Sequence, residues 1–312
     1  MKKILAVFAI FFAIGCNMLE SPTAPSSYRG RSEVRNLTAW SPCIVVQTPG
    51  YRGDREFEVQ MASLRKLHDA GRLEWVRLGD VDSRGNGRDY AIEAKRIGLK
   101  ILGIMGLEDL EEWGNWENSF DRLYSIFPEV DVWEIGNEVT SQAINSRPAT
   151  PEEYMEKFKR LYDHVRINYP RAVLTSAASP GSVAGSTDLQ RFIELGLLEM
   201  DVIVVANVYD FSYRGRAIQE YANVFSQYRE KLSRKRIWVT ETGSPIAEQQ
   251  VAYVENTYPK IANTLHPEMI CWYVMWSGDG AGGDTGFNLI NNIHGPAIEE
   301  RSLFQLLTGK MQ

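Results

Sequence analysis

Short apolar runs recur along most of the chain at intervals of roughly 25 to 35 residues, and nearly every gap between them carries apolar positions at helical spacing. Eight runs predict strands: Cys43–Gln47, Glu74–Gly79, Lys100–Gly106, Asp131–Glu138, Ala172–Ser179, Val202–Tyr209, Arg236–Glu241 and Met269–Trp276. The gaps predict helices over Glu58–Ala70, Arg88–Ile97, Asn118–Phe127, Pro151–Tyr169, Leu189–Leu198, Ala217–Leu232 and Gln249–Asn263, with a last one over Ala297–Leu307. Thr150 is placed to cap the helix that starts at Pro151, and Glu152 and Glu153 fall in its first turn, where the helix dipole favours anions. Strands alternating with helices imply a parallel sheet, and eight units imply closure into a single-domain α/β (β/α)8 TIM barrel. An open dinucleotide-binding sheet would need a G-x-G-x-x-G turn after the first strand, and the segment Gln47–Arg55 does not supply it.

Side chains alternate along a strand, so parity sorts the positions that face the barrel axis from those that face the helices. In the second strand Trp75 and Arg77 take the inward parity, and in the fourth Val132, Glu134, Gly136 and Glu138 share a face. In the sixth, Ile203, Val205, Asn207 and Tyr209 face in; the seventh groups Ile237, Val239 and Glu241, and the eighth Trp272, Val274 and Trp276.

The amino terminus departs from this pattern. Two lysines precede an unbroken apolar run from Ile4 to Ile14, followed by Gly15 and Cys16, which reads as a secretory signal too short to span a membrane comfortably. Small residues before Cys16 give the segment the look of a bacterial lipobox, with Cys16 as the lipidated thiol; an ordinary signal peptide that contains a cysteine is the alternative. From Asn17 to about Ser32 the chain is rich in Ser, Pro, Thr and Gly without apolar periodicity. The expected organisation is therefore a signal peptide over residues 1–15, a lipidated cysteine and tether over 16–36, and the barrel over 37–312, exported and anchored in a bacterial cell envelope. Cys43 and Cys271 fall in the first and last strands, neighbours at barrel closure; because adjacent strands often fit a disulfide poorly, free thiols are expected.

A hydrophobic share of 44% and a charged share of 24% exclude both a disordered chain and a multi-span membrane protein. A net charge of −6 with no basic stripe argues against a nucleic-acid partner.

In (β/α)8 barrels chemistry sits at the carboxyl ends of the strands. Here those ends carry Arg77, Asn137, Glu138, Asn207, Tyr209, Glu241 and Trp276. Strand by strand this inventory resembles clan A of the retaining glycoside hydrolases, over the domain from about Cys43 to the end. The resemblance implies Glu138 as acid/base after the fourth strand and Glu241 as nucleophile after the seventh, with Arg77, Asn137, Asn207, Tyr209 and Trp276 binding substrate. Asn207 is a departure, since many members of the clan carry histidine there. Two carboxylates suit the chemistry: one protonates the departing oxygen and the other attacks the anomeric carbon, the pair lying about 5 Å apart when attack is direct. Trp113 and Trp116 after the third strand, and Phe211 and Tyr213 after the sixth, are candidates to stack on sugar rings, with ordinary loop packing the alternative. The glycine-rich run Ser277–Gly286 is either a flap over the site or a long turn.

The expected function is hydrolysis of O-glycosidic bonds in a poly- or oligosaccharide by double displacement. A transglycosylase using the same site and a non-catalytic, lipid-anchored carbohydrate-binding protein are the alternatives. No cofactor is expected. The four histidines lie away from the strand ends, so a barrel-type zinc hydrolase would lack its ligands, and no G-x-S-x-G elbow is present.

Overall fold

The structure, a computed structural model, describes residues 41–47, 54–79, 81–106, 115–142, 147–210, 216–278 and 283–310. The signal-like segment, Cys16, the tether, Trp113, Phe211 and Tyr213 lie outside the described residues. Eight parallel strands run in chain order: β1 (Ser41–Gln47), β2 (Trp75–Gly79), β3 (Lys100–Met105), β4 (Val132–Ile135), β5 (Val173–Thr175), β6 (Val204–Asn207), β7 (Ile237–Thr242) and β8 (Met269–Trp272). β1 pairs with both β2 and β8. The far edges, β5 and β6, meet through parallel bridges at Thr175–Ile203 and Ser179–Ala206, which closes the (β/α)8 barrel. Around it lie α1 (Asp54–Asp69), α2 (Arg88–Ile97), α3 (Trp116–Ile126), α4 (Pro151–Asn168), α5 (Val183–Glu194), α6 (Arg216–Gln227), the short α7 (Arg229–Leu232), α8 (Gln250–Leu265) and α9 (Ser302–Leu307).

The alternation of side chains divides the core in two. Cys43, Val45, Trp75, Leu102, Val132, Ile203, Val205, Trp238, Met269 and Cys271 fill the barrel interior. Their neighbours along the same strands, such as Ile44, Val76, Ile101 and Val204, pack outward with the helices. Inside, Trp75 and Trp238 meet edge to face with ring centroids 4.9 Å apart. A barrel packed this way is a solid scaffold, each buried large side chain contributing roughly 1.5–3 kcal/mol, and it leaves chemistry to the rim.

α4 shows how a helix fixes that rim. Its capping box is complete: Thr150 Oγ1 accepts from the Glu153 N–H at 3.2 Å, and Glu153 Oε2 accepts from the Thr150 N–H at 2.9 Å. One turn in, the Tyr154 hydroxyl donates to the Ile135 carbonyl at 3.0 Å and accepts from the Ala177 N–H at 2.6 Å. The carboxyl ends of β4 and β5 are thereby pinned to one side chain.

Several expectations change. β4, β5, β6 and β8 end earlier than their apolar runs, which continue as irregular backbone at the mouth. The helix expected from Leu189 begins at Val183, because the small Gly185 and Ser186 let its first turn press on the preceding loop; a Cβ on Gly185 would lie 1.6 Å from the Pro180 carbonyl oxygen. The helix expected over Ala217–Leu232 breaks after Gln227. The last helix starts at Ser302, since Glu299–Glu300 pairs antiparallel with Ile290–Asn291. Cys43 and Cys271 are disulfide-bonded, not free: they stand directly opposite one another in the β1–β8 register with Cα atoms 4.2 Å apart.

Candidate active site

Glu138 reaches the mouth by a turn. β4 stops at Ile135, Gly136 takes a left-handed conformation (φ 86°), and Glu138 itself has φ 46°. The Glu138 N–H donates to the Ala178 carbonyl at 2.8 Å, so the turned backbone stays tied to the end of β5.

β7 carries Glu241 differently. Its register shifts against β6 at Ala206/Asn207 and against β8 between Val239 and Thr242. Simple parity grouped Val239 with Glu241; instead Trp238 points into the barrel, Val239 packs with the helices, and both Thr240 and Glu241 reach polar partners at the mouth. An irregularity of this kind re-aims side chains at a barrel rim.

Six of the seven expected side chains converge there. Arg77 is buried and forks onto Glu134, Nε to Oε2 at 2.7 Å and Nη2 to Oε1 at 2.8 Å. Its Nη1 reaches Oε1 of Glu241 at 2.5 Å, and Nη2 also donates to Asn137 Oδ1 at 3.0 Å. Asn207 Nδ2 bridges Asn137 Oδ1 at 3.1 Å and Glu138 Oε1 at 2.9 Å. The Tyr209 hydroxyl donates to Oε2 of Glu241 at 2.8 Å. A continuous chain of hydrogen bonds therefore runs from Glu241 through Arg77, Asn137 and Asn207 to Glu138.

The charges are arranged unequally. Burial works against the Arg77 charge, but the Glu134 and Glu241 carboxylates beside it drive its pKa up, so the guanidinium is a permanent cation. Glu138 feels the Arg77 charge only weakly against two larger opposing effects. Burial, and then the nearby charge of Glu241, push its carboxyl up to about 7, against the opposing donors Asn207 and Gly181. Burial and the adjacent Glu241 hold Tyr209 as a neutral phenol.

Trp276 does not join this group. It is buried among the residues that face the helices, edge-on to the His294 ring with centroids 5.8 Å apart. Alternation fails between Trp272, which packs outward, and Val274, which packs inward, so counting by twos from the inward Val274 misplaces Trp276. The aromatic that β8 delivers to the mouth is Tyr273, which accepts from Gln47 Nε2 at 2.7 Å and packs edge-on to Tyr209 and Phe287 at 6.5 and 5.5 Å. Trp116 is likewise core, opening α3 against the Tyr154 ring. The glycine-rich run is tied at both ends: Ser277 to Asn288, and the Gly286 carbonyl to Gln250 and Arg301.

Two residues unmarked in the sequence, Gly181 and Thr240, complete the site together with Glu134. The Gly181 N–H donates to Glu138 Oε1 at 3.2 Å, and a Cβ there would lie 2.2 Å from Tyr209 Cδ2, so the position has no room for a side chain. Thr240 Oγ1 donates to Asn207 Oδ1 at 3.1 Å. Glu134, on the inward face that it shares with Glu138, anchors Arg77. Among the described residues, no group of three or more His, Cys, Asp or Glu side chains is gathered to hold a metal ion.

No protein-family model matches the chain, and no curated protein sequence matches it. Solved structures do. A family 51 α-L-arabinofuranosidase from Bifidobacterium longum superposes with a TM-score of 0.58 at 13% identity, over 87% of this chain and 72% of that one. A GH128 exo-β-1,3-glucanase from Aureobasidium namibiae gives 0.56 at 15% identity, over 86% and 95%. Saccharomyces cerevisiae Gas2p, in complex with laminaritetraose and laminaripentaose, gives 0.53 at 15%, over 86% and 62%. At such identities the likeness establishes architecture: this chain is a single-domain (β/α)8 barrel of the kind found in these glycoside hydrolases.

Proposed function

We propose that the protein is a retaining glycoside hydrolase that cleaves O-glycosidic bonds of a poly- or oligosaccharide. The observation that carries this reading is the unequal treatment of two glutamates joined through one hydrogen-bond chain. Glu138 is lifted to about 7 and is available as a proton donor, while Glu241 is held against Arg77 and the Tyr209 hydroxyl. In the first step a Glu241 oxygen attacks the anomeric carbon, the bond to the leaving oxygen breaks, and that oxygen takes the Glu138 proton. In the second step the Glu138 carboxylate takes a proton from water, water displaces Glu241, and both carboxyl groups return to their starting states. Arg77 and Tyr209 disperse the Glu241 charge before attack and receive it again on release. Asn137 spends Oδ1 on Arg77 and Asn207, which leaves its Nδ2 to donate to a sugar hydroxyl. Tyr273, Tyr209 and Phe287 form an aromatic wall beside the carboxylates. A protein that only bound sugar would have no use for a carboxyl lifted beside a second one.

The same reading puts the enzyme outside the cytoplasm, held at the envelope through Cys16. The Cys43–Cys271 disulfide supports an oxidising compartment.

The test is a panel of aryl glycosides and glycans that includes arabinofuranosides and β-1,3-glucans. Glu241→Ala is expected to abolish turnover, a loss of at least roughly 10⁴-fold. Glu138→Ala is expected to keep slow turnover of substrates whose leaving group needs no proton. Full activity in the Glu241 variant would refute the assignment, and products formed with excess sugar acceptor separate hydrolysis from transglycosylation.

A further inference from the structure

The hydrogen bonds at the mouth have a readable direction because two of their members can only donate. Arg77 has no acceptor, so the Asn137 atom it meets at 3.0 Å is Oδ1. That oxygen also meets the Asn207 amide at 3.1 Å, so Asn207 presents Nδ2. The second hydrogen of Nδ2 goes to Glu138 Oε1 at 2.9 Å. Asn207 Oδ1 is therefore turned away from the carboxyl, onto Thr240 Oγ1 at 3.1 Å, and the threonine hydroxyl must donate. From the other side the Gly181 N–H, the second obligate donor, reaches the same Glu138 Oε1 at 3.2 Å. A carbonyl-type oxygen accepts two such bonds well; the hydroxyl oxygen of a carboxylic acid does not.

We propose that Thr240 is a positioning residue for the acid/base group: by fixing the Asn207 amide, it holds Glu138 Oε1 as an acceptor and confines the transferable proton to Oε2. Thr240 and Asn207 are both fully buried, and the β7 irregularity brings Thr240 to face Asn207 while its neighbour Glu241 faces Arg77. Asn207 is thus a non-titrating relay, and its direction is set at one end by Arg77 and at the other by a hydroxyl. Among the described residues, the charged groups acting on Glu138 include Glu241 from β7 and Arg77 from β2 with Glu134 of β4 behind it, and the titratable phenols include Tyr209 after β6 and Tyr221 of α6. None of these changes in a Thr240 variant. The use of the Oε2 proton in turnover rests on the glycosidase reading, whereas the wiring itself does not.

Without the Thr240 hydroxyl, Asn207 Oδ1 is buried and loses its donor, and only the bond to Asn137 then opposes a turn of the amide that brings this oxygen toward Glu138. The carboxylate then loses a donor and its protonated form gains. The test is a pH titration by carbon-13 NMR of the full-length protein labelled at glutamate side-chain carboxyls, with the Glu138 signal assigned through Glu138→Gln. In Thr240→Val the Glu138 midpoint is expected to rise by about one pH unit, the effect of losing one hydrogen bond to a charged group. Thr240→Ala removes the same donor without the branched methyls and is expected to do likewise. Thr240→Ser keeps the hydroxyl and is expected to follow the wild type. A wild-type Glu138 titration in either donor-less variant with a native near-ultraviolet circular dichroism spectrum overturns the proposal, as does a serine variant that shifts as far as valine. The expected shift in a protein that hydrolyses none of the glycans supports the wiring and counts against the glycosidase reading, so the two fail separately.

Discussion

Glu138 is a non-glycine residue with a positive φ, its carboxyl is lifted by burial and by a second carboxylate, and it stands on a turn opened by the left-handed Gly136. Backbone strain of this sort costs about 1–3 kcal/mol and persists only where surrounding bonds over-determine it. Here the Ala178 carbonyl, the Gly181 N–H and the Asn207 amide do so. The raised carboxyl also makes the site a liability for stability, with a definite sign. Below about 4.5 the group is protonated whether the chain is folded or not; between there and about 7 the folded protein keeps a proton that the unfolded chain releases, so stability falls as pH rises through that window. Glu138→Gln removes the ionisation. It is expected to leave the melting temperature near wild type at the acid end and to stabilise by about 1–3 kcal/mol above pH 7, read from thermal melts across pH; a benefit that is constant with pH would contradict the assignment. Arg77, Asn137, Glu138, Asn207, Tyr209 and Glu241 were legible because each is a polar side chain closing an otherwise apolar run. Gly181 and Thr240 were not, since a glycine after a short strand and a threonine within one are ordinary, and their roles depend on partners from other strands.

Among the elements, the eight β/α units were legible from periodicity alone, and the helices held to within a few residues except at the start of α5, which small residues masked, at the break after Gln227 and at the late start of α9. The strand ends were not legible, because the apolar runs continue past the last ladder bond into backbone that no longer alternates. Trp276 was misplaced for that reason, and Tyr273 passed over. The β7 irregularity is the reverse case, where a break in alternation brings Glu241 and Thr240 to the mouth together. The β1–β8 seam has its own consequence. Cys43 and Cys271 are 228 residues apart, so their bond closes nearly the whole barrel into one covalent loop. A Cys43→Ser, Cys271→Ser double variant is expected to be destabilised by roughly 2–5 kcal/mol in denaturant melts, and reduction of the wild type to have a similar effect. Equal midpoints with and without reductant would argue that the pair stabilises nothing.

For the whole molecule, the expectation of an exported, lipid-held enzyme rests on Cys16 and its apolar leader, and it has a direct check: labelled palmitate is expected to enter the wild-type protein in a bacterial host and not Cys16→Ala, which should leave the membrane fraction. The alternation of apolar runs with helical patterns determined the barrel by itself, because alternating period-two and period-3.6 segments can bury both faces of their strands only in a parallel sheet wrapped by helices. It also determined that two glutamates sit at strand ends, since a strand's polar terminus is a local property. Only the tertiary structure decided how they differ. Glu241 meets a cation from β2 and a phenol from β6, and Glu138 an amide from β6 and an N–H from beyond β5. Which partners a carboxyl meets, and so whether it holds a proton at neutral pH, depends on residues far apart in the chain that closure of the barrel alone brings within hydrogen-bond reach.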